Sequence, residues 1–366
     1  MALTNFSNVK AAEIQPLIDQ IWKEPSTSKS YGVKAHTIKA ILENQTAQLS
    51  LLETSEKKNE VSVKWVDFCG DTSTDGTDAD DCDNVKGGEG TAKKKDYALD
   101  IFVEDTFSVA SEELESSVVD YDNIVATGLA AKIRNIMEKF NSKAVAVIAA
   151  NKGTNPYPGP YSYDGTSKDT TVTGSDFGAE KLIPYFMQVA ESNRSMETFL
   201  LDGGNLFQDF YKADKYAVNS DGKAAKAMYD DLLFRHDMSG FAANSLSAYT
   251  FLIDKGALAI ANRAKYPTLQ ALAGMPDGGW IHTNSGNMMR YSIPVNIPDF
   301  MPMMFVSQGK LVKRSLMLDV QHSIVCSSDL LYPTWKLKLR AGVFASPIRC
   351  NTGNTGILSF LKEATF

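Results

Sequence analysis

The sequence predicts an α+β fold, and three patterns carry that expectation. Two apolar runs of period two bracket an acidic, Gly-rich stretch and read as one long β-hairpin. Apolar residues at steps of three and four from Asp122 onward read as an unusually long amphipathic helix. The last third of the chain alternates apolar and polar residues, as half-buried antiparallel strands do. The chain has 366 residues, enough for two or so substructures at roughly 100–200 residues per domain.

Composition narrows the function classes. Apolar residues make up 43% and charged residues 22%, the balance of a folded chain rather than a disordered one. The net charge of −7 gives no electrostatic reason to seek nucleic acid or an anionic membrane. No run approaches the ~20 apolar residues of a membrane span. The start, MALTNFSNVKAAEIQPLIDQIW, lacks the basic opening and continuous apolar run of a signal peptide. The expectation is a protein made and kept in cytoplasm, or released by lysis. Four cysteines are too few for a disulfide scaffold, and free thiols are the expectation in a reducing compartment.

Residues 1–30 read as an arm, with a short helix from Ala11 to Trp22 that places Ile14, Leu17, Ile18 and Ile21 on one face. PSTSKS breaks it, and a weaker helix follows from His36 to Leu52. Then VSVKWVDF puts Val61, Val63 and Trp65 on one side. DYALDIFVEDTF puts Tyr97, Leu99, Ile101, Val103 and Phe107 on one side, with Asp100, Glu104 and Thr106 on the other. A free hairpin is marginal in water, so these limbs need a surface to lie on, and a neighbouring subunit is one candidate.

Between the limbs stands CGDTSTDGTDADDCDNVKGGEG. It carries six aspartates from Asp71 to Asp83, with no lysine or arginine from Trp65 through Val85. Asp71, Ser73, Asp75 and Gly76 occupy the first, third, fifth and sixth places of a calcium loop, but Cys82 stands where the bidentate glutamate belongs and the flanks are strands rather than helices. A looser calcium site among Asp75, Asp78, Asp80 and Asp81, a loop closed by Cys69 and Cys82, and a solvated acidic tip all remain open. Lys93, Lys94 and Lys95 follow directly and are able to offset the tip or pair with another copy's tip.

The long helix aligns Val125, Leu129, Ile133, Ile136, Phe140 and Val147. If Asn141-Ser142 do not interrupt it, it reaches Asn151, about 45 Å at 1.5 Å per residue. Residues 152–176 are rich in Gly, Pro, Tyr and Thr and read as a loop. A helix follows from Phe177 to Asn193, capped by Ser175 or Asp176 and kinked at Pro184. Thr198–Leu201 reads as a buried strand, and Asp202-Gly203-Gly204 as a turn into a helix near Asn205. Further helices are expected near Lys223–Phe234 and Lys255–Ala264, with the strand AYTFLID between them. Leu316, Leu318, Val320, Ile324 and Cys326 alternate along one strand; Trp335, Leu337, Leu339 and Ala341 alternate along the next, around the connection SSDLLYPT.

Chemistry-bearing motifs are scarce. His36, His236, His282 and His322 show no metal-pair spacing; His322 falls on an apolar strand face and reads as a core histidine, His282 as a loop residue. Arg235-His236-Asp237 lacks the Gly-rich loop, strand lysine and DFG of a kinase. There is no GxSxG elbow and no Walker loop. Ser26-Thr27-Ser28-Lys29 has no partner motifs, and Asp202-Gly203-Gly204-Asn205 is a turn before it is an anion site. Carboxylates are plentiful, but nothing pairs them as a hydrolase would. No catalytic residue and no cofactor is expected.

The stretches VSVKWVDFCGD, YALDIFVEDTFSV, DNIVATGLAAKIRNIMEKFNSKAVAVIAANKGTN, IPYFMQVAESN and FLLDGGNLF, in this order, resemble major capsid proteins of tailed bacteriophages with the Hong Kong 97-type fold. The likeness extends to capsid proteins of Bacteroidetes-infecting and crAss-like phages. It is clearest over residues 60–210 and is one of arrangement.

The resemblance implies an N-terminal arm over 1–35, an extended loop over 60–108, and a peripheral domain over 109–195 that holds a spine helix at 120–151. It further implies an axial domain over 196–320 and C-terminal strands over 321–366 that return to the peripheral domain. It implies a virion subunit assembled in host cytoplasm, joining other copies as hexamers and pentamers around packaged double-stranded DNA without sequence readout. Portal, scaffolding and head decoration proteins are the implied further partners. Trp65, Lys93, Lys94, Lys95 and Tyr97 would then make inter-subunit contacts, the aspartates would bind calcium or basic groups near a symmetry axis, and a Cys69–Cys82 bridge would form only after lysis. An encapsulin-like compartment shell, and a soluble calcium-stabilised binding protein or hydrolase, are the alternatives.

Overall fold

The computed structural model describes residues 16–21, 33–45, 53–54, 60–67, 91–109, 121–193, 197–207, 232–268, 271–272, 280–283, 286–296, 303–307, 310–327, 330–346 and 355–363.

The first limb of the hairpin forms where the alternation places it. Strand β1 (Glu53–Thr54) pairs with β2 (Glu60–Asp67), and β2 pairs with β3 (Thr91–Ala98), all antiparallel, from Glu60 opposite Ala98 to Asp67 opposite Thr91. The second limb differs from expectation. The run expected as one strand is two, because β4 (Ile101–Ser108) leaves the hairpin and joins another sheet. At the corner Leu99 turns inward against Val61, Val63, Ala259, Ala261 and Phe344. It passes over Gly342, where a Cβ would lie 3.1 Å from Leu99 Cδ2 and 3.2 Å from Ala98 O. Glycine admits this crossing because it has no side chain there.

The second sheet runs β10 (Leu258–Asn262), β16 (Leu330–Ala345), β15 (Met317–Ser327), β12 (Gly286–Pro294), β11 (Trp280–Thr283), with β4 also on β16. Ala341 pairs with both Ile101 and Asn262, so β4 and β10 flank β16 on opposite edges. Strands β15 and β10 therefore occupy one edge in succession. Asn262 bridges their junction: its Nδ2 donates to Met317 O and Arg340 O at 3.1 and 2.8 Å, and its Oδ1 accepts from Met317 N at 2.6 Å. Trp335, Leu337, Leu339 and Ala341 are buried while Lys336 and Lys338 face outward, as the period-two pattern requires.

Helix α2 (Tyr121–Ala150) packs against β4 and β16. Its 30 residues span about 45 Å. Asn141-Ser142 do not interrupt it. Val125, Leu129, Ile133, Ile136 and Phe140 all enter the main core. Approach to the sheet is close: a Cβ at Gly128 would lie 2.7 Å from the Phe107 ring. Helix α1 (His36–Asn44) packs beside α2 and ends at Asn44, with Gln45 already extended.

The third sheet has the order β5 (Ser162–Asp164), β6 (Asp169–Val172), β17 (Ile357–Lys362), β9 (Tyr249–Asp254), β7 (Thr198–Asp202), β8 (Leu232–His236). Its pairs β17–β6 and β7–β8 are parallel and the others antiparallel. The central strands are dry on both faces. Leu200, Leu252, Leu358 and Phe360 meet Leu182, Ile183, Phe186 and Val189 of α3 (Ala179–Ser192). Their neighbours Phe199, Leu201, Phe251, Ile253 and Ile357 join the main core on the other side.

Two expected helices are corrected. Leu258–Asn262 is β10, and Leu232–His236 is β8, while residues 223–231 lie outside the described residues. A short continuous apolar run such as LAIAN has no period to distinguish helix from strand, and pairing with β16 decides it. His282 lies in β11 rather than in a loop. A two-stranded hairpin, β13 (Met303–Ser307) with β14 (Lys310–Arg314), completes the strands named here.

Candidate functional site

The hairpin has a buried root and a wet body. At the root Val61 and Val63 are fully buried. Tyr97 stacks on Phe344 with ring centroids 4.6 Å apart, and its hydroxyl donates to Ala345 O at 2.9 Å. Burial pushes the Tyr97 phenol up to about 12. Beyond the root, Ala92, Lys93, Lys94, Lys95 and Asp96 are all exposed. Successive strand residues point to opposite faces, so five exposed in a row means that both faces of β3 are open to solvent.

The charges on this strand are locally arranged. Lys94 lies 3.1 Å from Asp96, Ser62 Oγ donates to Asp96, and Lys95 Nζ sits 5.0 Å from the Tyr97 ring centroid. Trp65 stands opposite Lys93 in the register, with its side chain outside the described residues. Cys69, Asp75, Asp78, Asp80, Asp81 and Cys82 also lie outside the described residues. Among the described residues no group of three or more His, Cys, Asp or Glu side chains is placed to hold a metal, and no helix is long and apolar enough to cross a membrane.

The body that carries the hairpin is pinned by buried polar groups. Asp237 is fully buried just before helix α4 (Met238–Ala242). Its Oδ2 accepts from Thr37 N, Thr37 Oγ1 and Asn141 Nδ2 at 3.2, 2.6 and 2.5 Å; its Oδ1 accepts from Gly240 N at 2.9 Å and Ser239 Oγ at 3.3 Å. Asn141 Oδ1 in turn accepts from Ile38 N at 3.1 Å. One carboxylate thus ties α1, α2 and α4 together. The sequence signal for it was the polar pair inside α2, which read only as a possible interruption.

Lys152, just beyond α2, reaches Asp169 at 2.6 Å, and Ser359 Oγ donates to the same oxygen at 2.6 Å. Asp105 of β4 meets Lys132 and Asn135 of α2. Burial works to raise its pKa, but those donors and the Thr106 N–H outweigh it and leave the carboxyl below its ordinary range.

Asp202-Gly203-Gly204-Asn205 is a turn. Asp202 accepts from Gly204 N and Leu206 N at 2.8 and 3.0 Å and from Thr250 Oγ1 at 2.7 Å. Its own carboxylate takes the amides that an anion would need. His322 is the expected core histidine, pushed down to about 4 by burial. Its ring lies 4.5 Å from Trp335, whose other neighbour is Phe107 at 4.9 Å.

No family model matches the chain, and no curated protein matches it. Solved structures do. A chain of the cyanophage A-1(L) capsid asymmetric unit aligns over 87% of this chain and 92% of its own, at 14% identity and TM-score 0.43. One of the cyanophage Pam1 capsid asymmetric unit aligns over 83% and 85%, at 9% identity and TM-score 0.44. One of mycobacterium phage Cain aligns over 91% and 92%, at 11% identity and TM-score 0.43.

Proposed function

We propose that this chain is a structural shell subunit, the major capsid protein of a tailed bacteriophage, built on the Hong Kong 97-type plan. The observation that carries the reading is the hairpin. A free hairpin is marginal on its own, yet this one is rooted in an apolar seat, leaves Ala92–Asp96 of its second limb exposed, and continues as β4 into the body. A seated root with an exposed limb suits a surface supplied by another copy.

In this reading residues 60–108 are the extended loop over a neighbour, 120–151 the spine helix of a peripheral domain (109–195), 196–320 the axial domain, and 321–366 strands returning to the peripheral domain. Residues 1–35 are the arm. The subunits close as hexamers and pentamers into an icosahedral head around double-stranded DNA, with portal, scaffolding and decoration proteins as further partners. No catalytic residue is assigned. Lys93, Lys94 and Lys95, with Trp65 opposite Lys93 in the register, are assigned to the copy-to-copy contact, while Tyr97, expected there too, is taken up by the root on Phe344; Asp75, Asp78, Asp80 and Asp81 are the candidate calcium ligands.

Negative-stain microscopy and light scattering of the purified protein, with and without calcium, test this. Shells, tubes, rings or discrete hexamers are expected, and deleting residues 68–90 is expected to abolish them while leaving the subunit folded. A 40.0 kDa monomer in every condition, including coexpression with a scaffolding protein, would overturn the proposal.

A further inference from the structure

Helix α1 is seated from two sides. Inward, Ile38, Ile41 and Leu42 enter the main core, and Thr37 and Ile38 bond to Asp237 and Asn141. Toward the third sheet it rests on β8. There the His36 imidazole stacks on that of His236, with centroids 5.6 Å apart and planes 27° from parallel. At the far end of the helix Glu43 Oε2 accepts from Arg235 Nε and Nη2 at 3.1 and 3.0 Å. The His236 ring also has Phe207 at 4.5 Å and Phe234 at 6.5 Å.

We propose that the His36–His236 stack makes the seat of α1 on β8 acid-labile, so that falling pH loosens α1 from a body that stays folded. Two neutral imidazoles stack without penalty. A proton on His236 places a charge between the His36 ring and two phenylalanines, which replace part of the solvation that the charge needs.

The surrounding charges do not cancel that cost. Among the described residues, α1 contributes His36, Lys39 and Glu43, β8 contributes Arg235 and His236, the end of β7 contributes Asp202, and the residue after β8 contributes Asp237. Lys39, one turn along from His36, adds positive charge to the same helix. Glu43 and Arg235 neutralise each other. Asp202 and Asp237 favour a proton on His236, but each already accepts three or more hydrogen bonds. Burial first and His36 second hold His236 below the ordinary histidine value despite them. The sign follows: a folded-state value depressed below the unfolded one favours the neutral pair. The seat's contribution is complete above about pH 6.5 and is lost as pH falls through the lower folded value.

Hydrogen exchange of the full chain, read by mass spectrometry on peptides spanning 33–44 and corrected for intrinsic rates, tests this between pH 7.5 and 5.5. The opening constant of α1 is expected to rise at the lower pH, by up to about tenfold, the ceiling for one histidine with an unfolded value near 6.5, with peptides of α2 and β16 unchanged. His36→Gln and, separately, His236→Gln are expected to flatten that response. An α1 opening constant that ignores pH would overturn the proposal, as would the full wild-type response in both variants or opening of α2 in step with α1. Because the readout is local, it is independent of whether the subunit builds a shell.

Discussion

Replacing Asp237 by alanine removes the acceptor shared by three helices. Asp237 is fully buried, and its two oxygens receive the Thr37 amide and hydroxyl, the Asn141 side-chain amide, the Gly240 amide and the Ser239 hydroxyl. The hydroxyls are free to turn elsewhere. The amides of Thr37 and Asn141 are not, since α1 and α2 fix them. Losing the cap on α4 costs about 1 kcal/mol. Two stranded buried donors cost about 1–3 kcal/mol each. The expected loss is therefore about 3–7 kcal/mol, a large share of the roughly 5–15 kcal/mol that a domain has. Urea unfolding of the unassembled subunit measures it as a lowered midpoint at constant slope. A loss below about 1 kcal/mol would refute the reasoning, because the donors would then be satisfied without the carboxylate.

Gly342→Ala places a Cβ 3.1 Å from Leu99 and 3.2 Å from the Ala98 carbonyl; limited proteolysis of the hairpin root is expected to speed up while cleavage within α2 does not. Trp335→Ala opens a void between His322 and Phe107 and is expected to cost about 3–5 kcal/mol in the same unfolding assay. His322, held at about 4, contributes stability that is complete above about pH 6.5 and is lost as pH falls toward 4. His322→Phe is expected to flatten the acid limb of a stability–pH profile by about 3 kcal/mol. Tyr97→Phe deletes the bond to Ala345 O and is expected to cost about 1 kcal/mol, read as faster exchange of the amides in β2 and β3.

The alternation of β15 and β16 was legible because each strand has one dry and one wet face, and α2 was legible because its apolar line holds for most of its length. Strand β10 was misread since both its faces are dry and alanine-rich, which leaves propensity to speak alone. The split between β3 and β4 was invisible because alternation continues through Leu99 and Asp100 while the chain changes sheets. The Asp237 node was hidden for another reason: its partners lie 200 and 96 residues away, so the polar pair Asn141-Ser142 was visible in the sequence but what it meets was not. At the candidate site, Tyr97 falls on a strand as expected, whereas Lys93–Lys95, read as a basic run following the acidic loop, belong to β3. Their division into an exposed run and a stacked root depended on where Phe344 and Gly342 lie.

Strand β17 follows every other described strand in the chain, yet it sits between β6 and β9 in the third sheet. Its residues alternate between the α3 layer and the α2 layer, with Leu358 and Phe360 on one side and Ile357 on the other. The β6–β17 and β17–β9 pairings can therefore form only once β17 has emerged. Leu358 and Phe360 then complete the layer against α3, and Ile357 joins the main core. Pairings so far apart along the chain set a slow pace. A subunit caught before that step would present raw sheet edges to its neighbours, the surfaces on which wrong associations begin.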